Sequence, residues 1–107
     1  MALFHWLLRL PPDTDLASYV APAIQEAGLV LDSELSNQVQ VVAQDPVDAG
    51  LHHDCRVLLM INWTNRANGE LVVEVRSAEP MLKRETRCAQ IAAALQALLP
   101  STPSVLV

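Results

Sequence analysis

The side chains best suited to chemistry stand in one run of two imidazoles, a carboxylate and a thiol: His52, His53, Asp54 and Cys55. Such groups bind metal ions or carry protons. Successive side chains of an extended chain point to opposite sides, so His53 and Cys55 could share a metal ion while His52 and Asp54 face away. A third metal ligand would have to come from elsewhere, and His5 is the one remaining histidine. We therefore predict no metal and no cofactor.

The second thiol, Cys88, lies on an apolar helical stripe, where cysteine acts as a small hydrophobic group. The chain has only Gly28, Gly50 and Gly69, which excludes a glycine-rich nucleophile elbow or phosphate-binding loop. The sequence therefore favours a protein that is not an enzyme and has no catalytic residue. The spacing of Cys55 and Cys88 matches no metal, redox or disulfide framework, so we expect reduced thiols and a cytoplasmic location.

A basic cluster is the strongest local charge asymmetry. Lys83, Arg84 and Arg87 are three of the seven lysines and arginines in a chain of formal net charge −5. On a helix they would share one flank near the N-terminal end, where the helix dipole favours anions. We treat them as a candidate binding site for an anion or an acidic partner. The alternative is a solvated flank in which Lys83 pairs with Glu79, and the acidic chain disfavours nucleic acid as a partner.

Hydrophobic periodicity predicts the elements in the first half of the chain. Residues 2 to 10 alternate between two faces up to Pro11, as a strand does. Apolar positions at helical spacing fill residues 13 to 28, and Pro22 lies opposite their stripe, which predicts a bent helix. Residues 29 to 44 fit one bent strand or two short strands.

The second half predicts a hairpin and a helix. Residues 55 to 63 are apolar on both faces, as in a central strand, and a turn at residues 65 to 69 leads into the alternating residues 70 to 76. Pro80 suits the first turn of a final helix, whose apolar stripe continues to Pro100.

These elements predict an α+β fold, a two-layer sandwich of order β-α-β-β-β-α. Its curved sheet is mostly antiparallel and carries both helices on one face. We expect residues 1 to 100 to form one domain and residues 101 to 107 to form a tail, either flexible or a short edge strand. The predicted core contains Phe4, Trp6, Leu8, Ile24, Val57, Leu59, Ile61, Cys88, Ile91 and Leu95.

Membrane insertion and secretion are not expected. The longest bulky apolar run, residues 57 to 61, is far shorter than the roughly 20 residues that cross a bilayer. The apolar N-terminal stretch has no basic region before it, unlike a signal peptide.

Apolar residues remain on the second sheet face if both helices cover the first. Leu58, Met60 and Val72 are the candidate interface, with Leu3 and Leu7 beside them. The function cannot be read from the sequence alone. The best hypothesis is a small non-catalytic interaction or regulatory domain that uses this face and the basic flank, with a protein partner or a homodimer. The alternative is a small enzyme or ligand-binding protein that uses His53 and Cys55 in a cavity between helices and sheet.

Overall fold

The fold is a five-stranded antiparallel sheet with two helices packed on one face. The computed structural model describes residues 2–37, 39–46, 50, 55–79 and 86–99. Along the chain the elements are β1 (Ala2–Arg9), α1 (Leu16–Glu26), β2 (Val30–Leu31), β3 (Gln40–Gln44), β4 (Leu58–Asn65), β5 (Glu70–Ser77) and α2 (Arg87–Leu98). The predicted class and element order are confirmed, with two strands in residues 29 to 44. Across the sheet the order is β1-β5-β4-β3-β2.

Helix α1 has the amphipathic pattern that its sequence predicts. Its buried positions repeat at helical spacing, and Pro22 lies on the exposed side. The helix ends where Gly28 adopts a φ of 80°, which glycine tolerates without strain. The Leu29 N–H then donates to the Ile24 carbonyl oxygen at 3.0 Å, a Schellman closure that turns the chain into β2.

The alternation of β5 shows which sheet face the helices cover. Leu71, Val73 and Val75 are fully buried, whereas the residues between them are half-buried. The β5 strand pairs with β1 along all eight residues of each strand without a bulge. A turn containing Gly69 connects β4 to β5, and a Cβ at Gly69 would lie 2.1 Å from the Leu10 carbonyl oxygen. Only glycine fits this close approach.

The predicted core is largely confirmed. Eight of its ten residues are buried: Leu8, Ile24, Val57, Leu59, Ile61, Cys88, Ile91 and Leu95. Trp6 is partly buried against this cluster. The prediction is wrong for Phe4, which is 39% exposed. Phe4 shares the covered face, but its strand is the sheet edge, so packing reaches it from one side only.

Helix α2 begins at Arg87 rather than at Pro80. Thr86 has an extended backbone, with φ −76° and ψ 149°, and its side chain accepts a hydrogen bond from the Ala89 N–H at 3.0 Å. This is an N-cap, so the helix starts at the next residue. Residues 80 to 85 and the predicted tail lie outside the described residues. Neither α1 nor α2, the helices of the described ranges, has the length and apolar character of a membrane-spanning helix.

Candidate functional site

The sheet face opposite the helices carries the predicted interface, and we call it the open face. Paired residues of antiparallel strands point to the same side, so the register defines its members. They form three rows across β1, β5, β4 and β3: Leu3, Arg76, Leu58 and Gln44; His5, Glu74, Met60 and Val42; Leu7, Val72, Asn62 and Gln40.

An apolar stripe runs diagonally over this face. Leu7 stands opposite Val72, Val72 is a diagonal neighbour of Met60, and Leu58 follows Met60 on the same side of β4. These four residues are the apolar stripe. It ends against Val42, which is opposite Met60 and buried. The three residues predicted as an interface therefore lie together, and Leu7 extends them to the sheet edge.

The stripe is partly covered by its own neighbours. Leu58, Met60 and Val72 are half-buried, whereas Leu7 is 62% exposed. A guanidinium nitrogen of Arg76 lies 4.0 Å from the Met60 sulfur, so the arginine side chain rests against the stripe. Long cationic side chains cover apolar surface in this way while their charge stays hydrated. The open face can thus offer both an apolar contact and a movable charge.

An ion pair between Asp45 and Arg87 joins the end of β3 to the start of α2. Asp45 is 1% exposed and accepts two hydrogen bonds from Arg87, at 3.0 Å to Oδ2 and 2.6 Å to Oδ1. The Val57 N–H adds a third at 2.9 Å. Burial alone would raise the pKa of Asp45, but the hydrogen bonds from Arg87 and Val57 hold it below its usual value. The hydrogen bond to Asp45 raises the pKa of Arg87. The pair is permanently charged at neutral pH.

Glu79 occupies the N-terminal end of α2. This carboxylate is 1% exposed and accepts hydrogen bonds from the Arg87 N–H at 2.9 Å, the Cys88 N–H at 3.0 Å and the Ser77 hydroxyl at 2.8 Å. The helix dipole favours an anion at this end, and the Glu79 carboxylate is that anion. An external anion would have to displace a buried carboxylate.

The basic cluster is only partly described. Of its three residues, Arg87 is the first residue of α2. The guanidinium of Arg87 is bound to Asp45. Lys83 and Arg84 lie outside the described residues, and anion binding by the cluster stays a prediction. The sequence gives no signal for the Asp45–Arg87 pair, because the partners are far apart along the chain and carry no shared motif.

The histidine-cysteine run cannot be assembled from the described residues. His52, His53 and Asp54 lie outside them, and Cys55 is half-buried, three residues before β4 begins. His5 is on the open face, opposite Glu74. Within the described ranges no three histidine, cysteine or acidic side chains are grouped to hold a metal ion.

Cys88 is a core thiol, as its position on the apolar stripe of α2 predicts. It is fully buried, and its Sγ lies 3.3 Å from the Val75 carbonyl oxygen. Burial raises the pKa of this thiol to about 11, because a thiolate would lose its hydration. Cys88 is therefore a poor nucleophile at neutral pH.

A cleft of about 460 Å³ lies at the β2 end of the sheet. Its lining residues are Val30, Leu31, Asp32, Ser33, Glu34, Gln44, Asp45 and Pro46. The Asp32 carboxylate accepts the N–H groups of Glu34 and Leu35, and Asp45 binds Arg87. These two carboxylates serve the fold.

A comparison with protein-family models finds no match, and comparisons with curated proteins and with solved structures find none that is significant.

Proposed function

We propose that this chain is a non-catalytic protein-interaction domain that binds a partner through the apolar stripe of its open face. The observation that carries the proposal is the continuity of Leu7, Val72, Met60 and Leu58 on the face that α1 and α2 leave uncovered. A contiguous apolar patch on a protein surface commonly marks a contact site. Here the patch begins at an open edge and crosses the middle of the sheet.

Charges beside the stripe would give the contact its orientation. Arg76 and Glu74 lie on the same face of β5 and are both half-buried. Arg76 rests on Met60 and can swing away to meet a carboxylate of the partner, which would expose the thioether below it. We expect a partner whose apolar side chains are flanked by at least one acidic residue. The partner is a different protein or a second copy of the chain.

The basic cluster is the second part of the proposal. Because the Arg87 guanidinium is already bound to Asp45, contact with an acidic partner depends on Lys83 and Arg84. Free thiols at Cys55 and Cys88 support a reducing, cytoplasmic setting for the interaction.

A matched pair of valine substitutions tests the stripe. V72K places a charge in the stripe, whereas V39K makes the same change at a 50%-exposed valine beside the start of β3. The two tagged variants and the unchanged chain are each used to capture partners from cell extract. The affinity of each captured protein for the three chains is then measured by titration. We expect V72K to lose the partner and V39K to keep it. Equal binding by V72K and the unchanged chain would refute the proposal.

A further inference from the structure

The two edges of the sheet differ in how they are protected against pairing with another strand. An open strand edge carries unpaired N–H and C=O groups, and proteins block it with short strands, charges, prolines or bulges. The β2 edge is blocked, because it has two residues, Val30–Leu31, and runs into Asp32 and Glu34. The β1 edge has eight residues and no bulge. Residues 2 to 8 contain no proline, lysine, arginine or acidic residue.

The backbone of β1 presents a regular set of groups at its open side. The Leu10 N–H donates to the Gly69 carbonyl oxygen at 2.9 Å and continues the ladder between β1 and β5. Hydrogen-bonded and non-hydrogen-bonded pairs alternate along an antiparallel ladder. The even residues of β1 therefore bond to β5, and the N–H and C=O groups of Leu3, His5 and Leu7 point away from it. Within the described ranges, β5 is the only strand beside β1.

The side chains of this edge are apolar and exposed. Leu3 is 46% exposed, Phe4 39% and Leu7 62%. Leu3 and Leu7 lie on the open face, and Phe4 and Trp6 lie on the helix side. Apolar side chains therefore project on both sides of the open edge. An edge strand that faces only solvent does not require such side chains.

We infer that β1 pairs antiparallel with β1 of a second copy of this chain, so that the two sheets join into one. With the two-fold axis between the two His5 residues, the outward N–H and C=O groups of both strands meet. Leu3 then stands opposite Leu7 of the second copy on the open face, and Phe4 opposite Trp6 on the helix side. On either side of the His5 pair at the axis, apolar residues meet apolar residues, and each of these contacts occurs twice, as in an isologous interface.

This pairing also affects the open face. Both copies keep their helices on the same side, so their two open faces become continuous. Each apolar stripe begins at Leu7, and Leu3 of the other copy extends it across the interface. The inference concerns the strand edge and does not depend on what binds the face.

Sedimentation equilibrium of the full chain over a wide micromolar range is the first test. We expect a dimer that L7K weakens at least about tenfold in Kd, because a lysine on an edge strand opposes pairing. L35K is the matched control, since Leu35 is another exposed leucine, at 54%, in the turn after β2. It should leave the Kd unchanged. A monomeric unchanged chain, or equal effects of L7K and L35K, would overturn the inference.

A charge pair tests the register. Leu3 and Leu7 of one strand are about 13 Å apart, too far to interact, but the proposed register places them opposite each other across the axis. The double variant L3E/L7K would form two ion pairs and should dimerise several-fold more tightly than L3E or L7K at low salt, an advantage that high salt removes. Failure of this rescue would exclude the register.

A proline substitution in β1 distinguishes pairing at the strand edge from binding at the open face. H5P removes an N–H that points to the open edge and leaves the ladder to β5 in place. We expect H5P to be a monomer with an unchanged circular dichroism spectrum, and V72K to remain a dimer. If V72K abolishes the dimer and H5P does not, the second copy binds the face, and this inference fails while the proposed function stands. If H5P does not fold, the L3E/L7K rescue decides.

Discussion

The two faces of the central hairpin both carry apolar residues but lie in different environments. On the helix side, Leu59, Ile61 and Val73 are completely buried. On the open face, Met60 and Val72 stay half-buried although they alternate with those residues on the same strands. The difference is that α1 and α2 both pack on one side. Apolar residues on the first face stabilise the fold, and those on the second form the proposed contact site.

The comparison predicts that substitutions on the two faces have separable effects. Changes on the helix side should lower stability, and changes on the open face should alter binding with little effect on stability. The following experiments test this division, beginning with the largest expected effect.

Ile61→Ala should be the most destabilising change. Ile61 is fully buried between the sheet and the helices, so truncation removes apolar burial and leaves a cavity. We expect a loss of about 2 to 5 kcal/mol in the free energy of unfolding, measured by urea denaturation. Leu95→Ala, on the facing helix, should fall in the same range. A loss below about 0.5 kcal/mol at either position would contradict its place in the core.

Asp45→Asn should cost about 3 kcal/mol, because it leaves Arg87 without its buried counter-charge. The folded-state pKa of Asp45 lies below its unfolded value, so its contribution is present above the unfolded pKa of about 3.9 and is lost as pH falls through the folded pKa. The unchanged chain should therefore lose stability below about pH 4 more steeply than the variant. Urea denaturation at a series of pH values measures both curves, and parallel curves would show that the pair does not contribute.

The two cysteines extend the comparison to chemical reactivity. Cys88 is fully buried with its pKa raised to about 11, whereas Cys55 is half-buried before β4. A thiol reagent at neutral pH should label Cys88 only on unfolding and Cys55 sooner. Mass spectrometry of digested samples follows each site over time. Labelling of Cys88 at the rate of a free thiol in the folded chain would show that the core opens.

Met60→Gln should have the smallest effect on folding. The substitution keeps the side-chain length on the open face, where Met60 is half-buried under Arg76. We expect a change within about 0.5 kcal/mol in the free energy of unfolding, together with weaker partner binding. A loss comparable with that of Ile61→Ala would mean that the open face is a second core.

The strands and helices were predictable where apolar residues recur at the spacing of a strand or a helix, because this spacing shows which side of the element is buried. Each of these signals depends on neighbours two to five residues away: the alternation of β1 and β5, the apolar stripe of α1, and the end of α1 at Gly28. The position of Leu58, Met60 and Val72 on the open face followed from the same alternation, because a strand with two apolar sides cannot place both against one layer of helices.

Other features depended on contacts between distant parts of the chain. The exposure of Phe4 follows from β1 being an edge strand, which no local pattern encodes. The start of α2 depends on Thr86 as N-cap and on Glu79, which folds back onto the Arg87 and Cys88 N–H groups.

The sequence by itself determined the strands, the helices and the side of each that is apolar, because residues two to four positions apart share a face. Only the tertiary structure decided the strand order, and with it the open β1 edge and the diagonal course of the apolar stripe. It also decided that Arg87 forms an ion pair with Asp45. The physical reason is that strand order and ion pairs join residues far apart in the chain, and many such pairings suit the same local pattern.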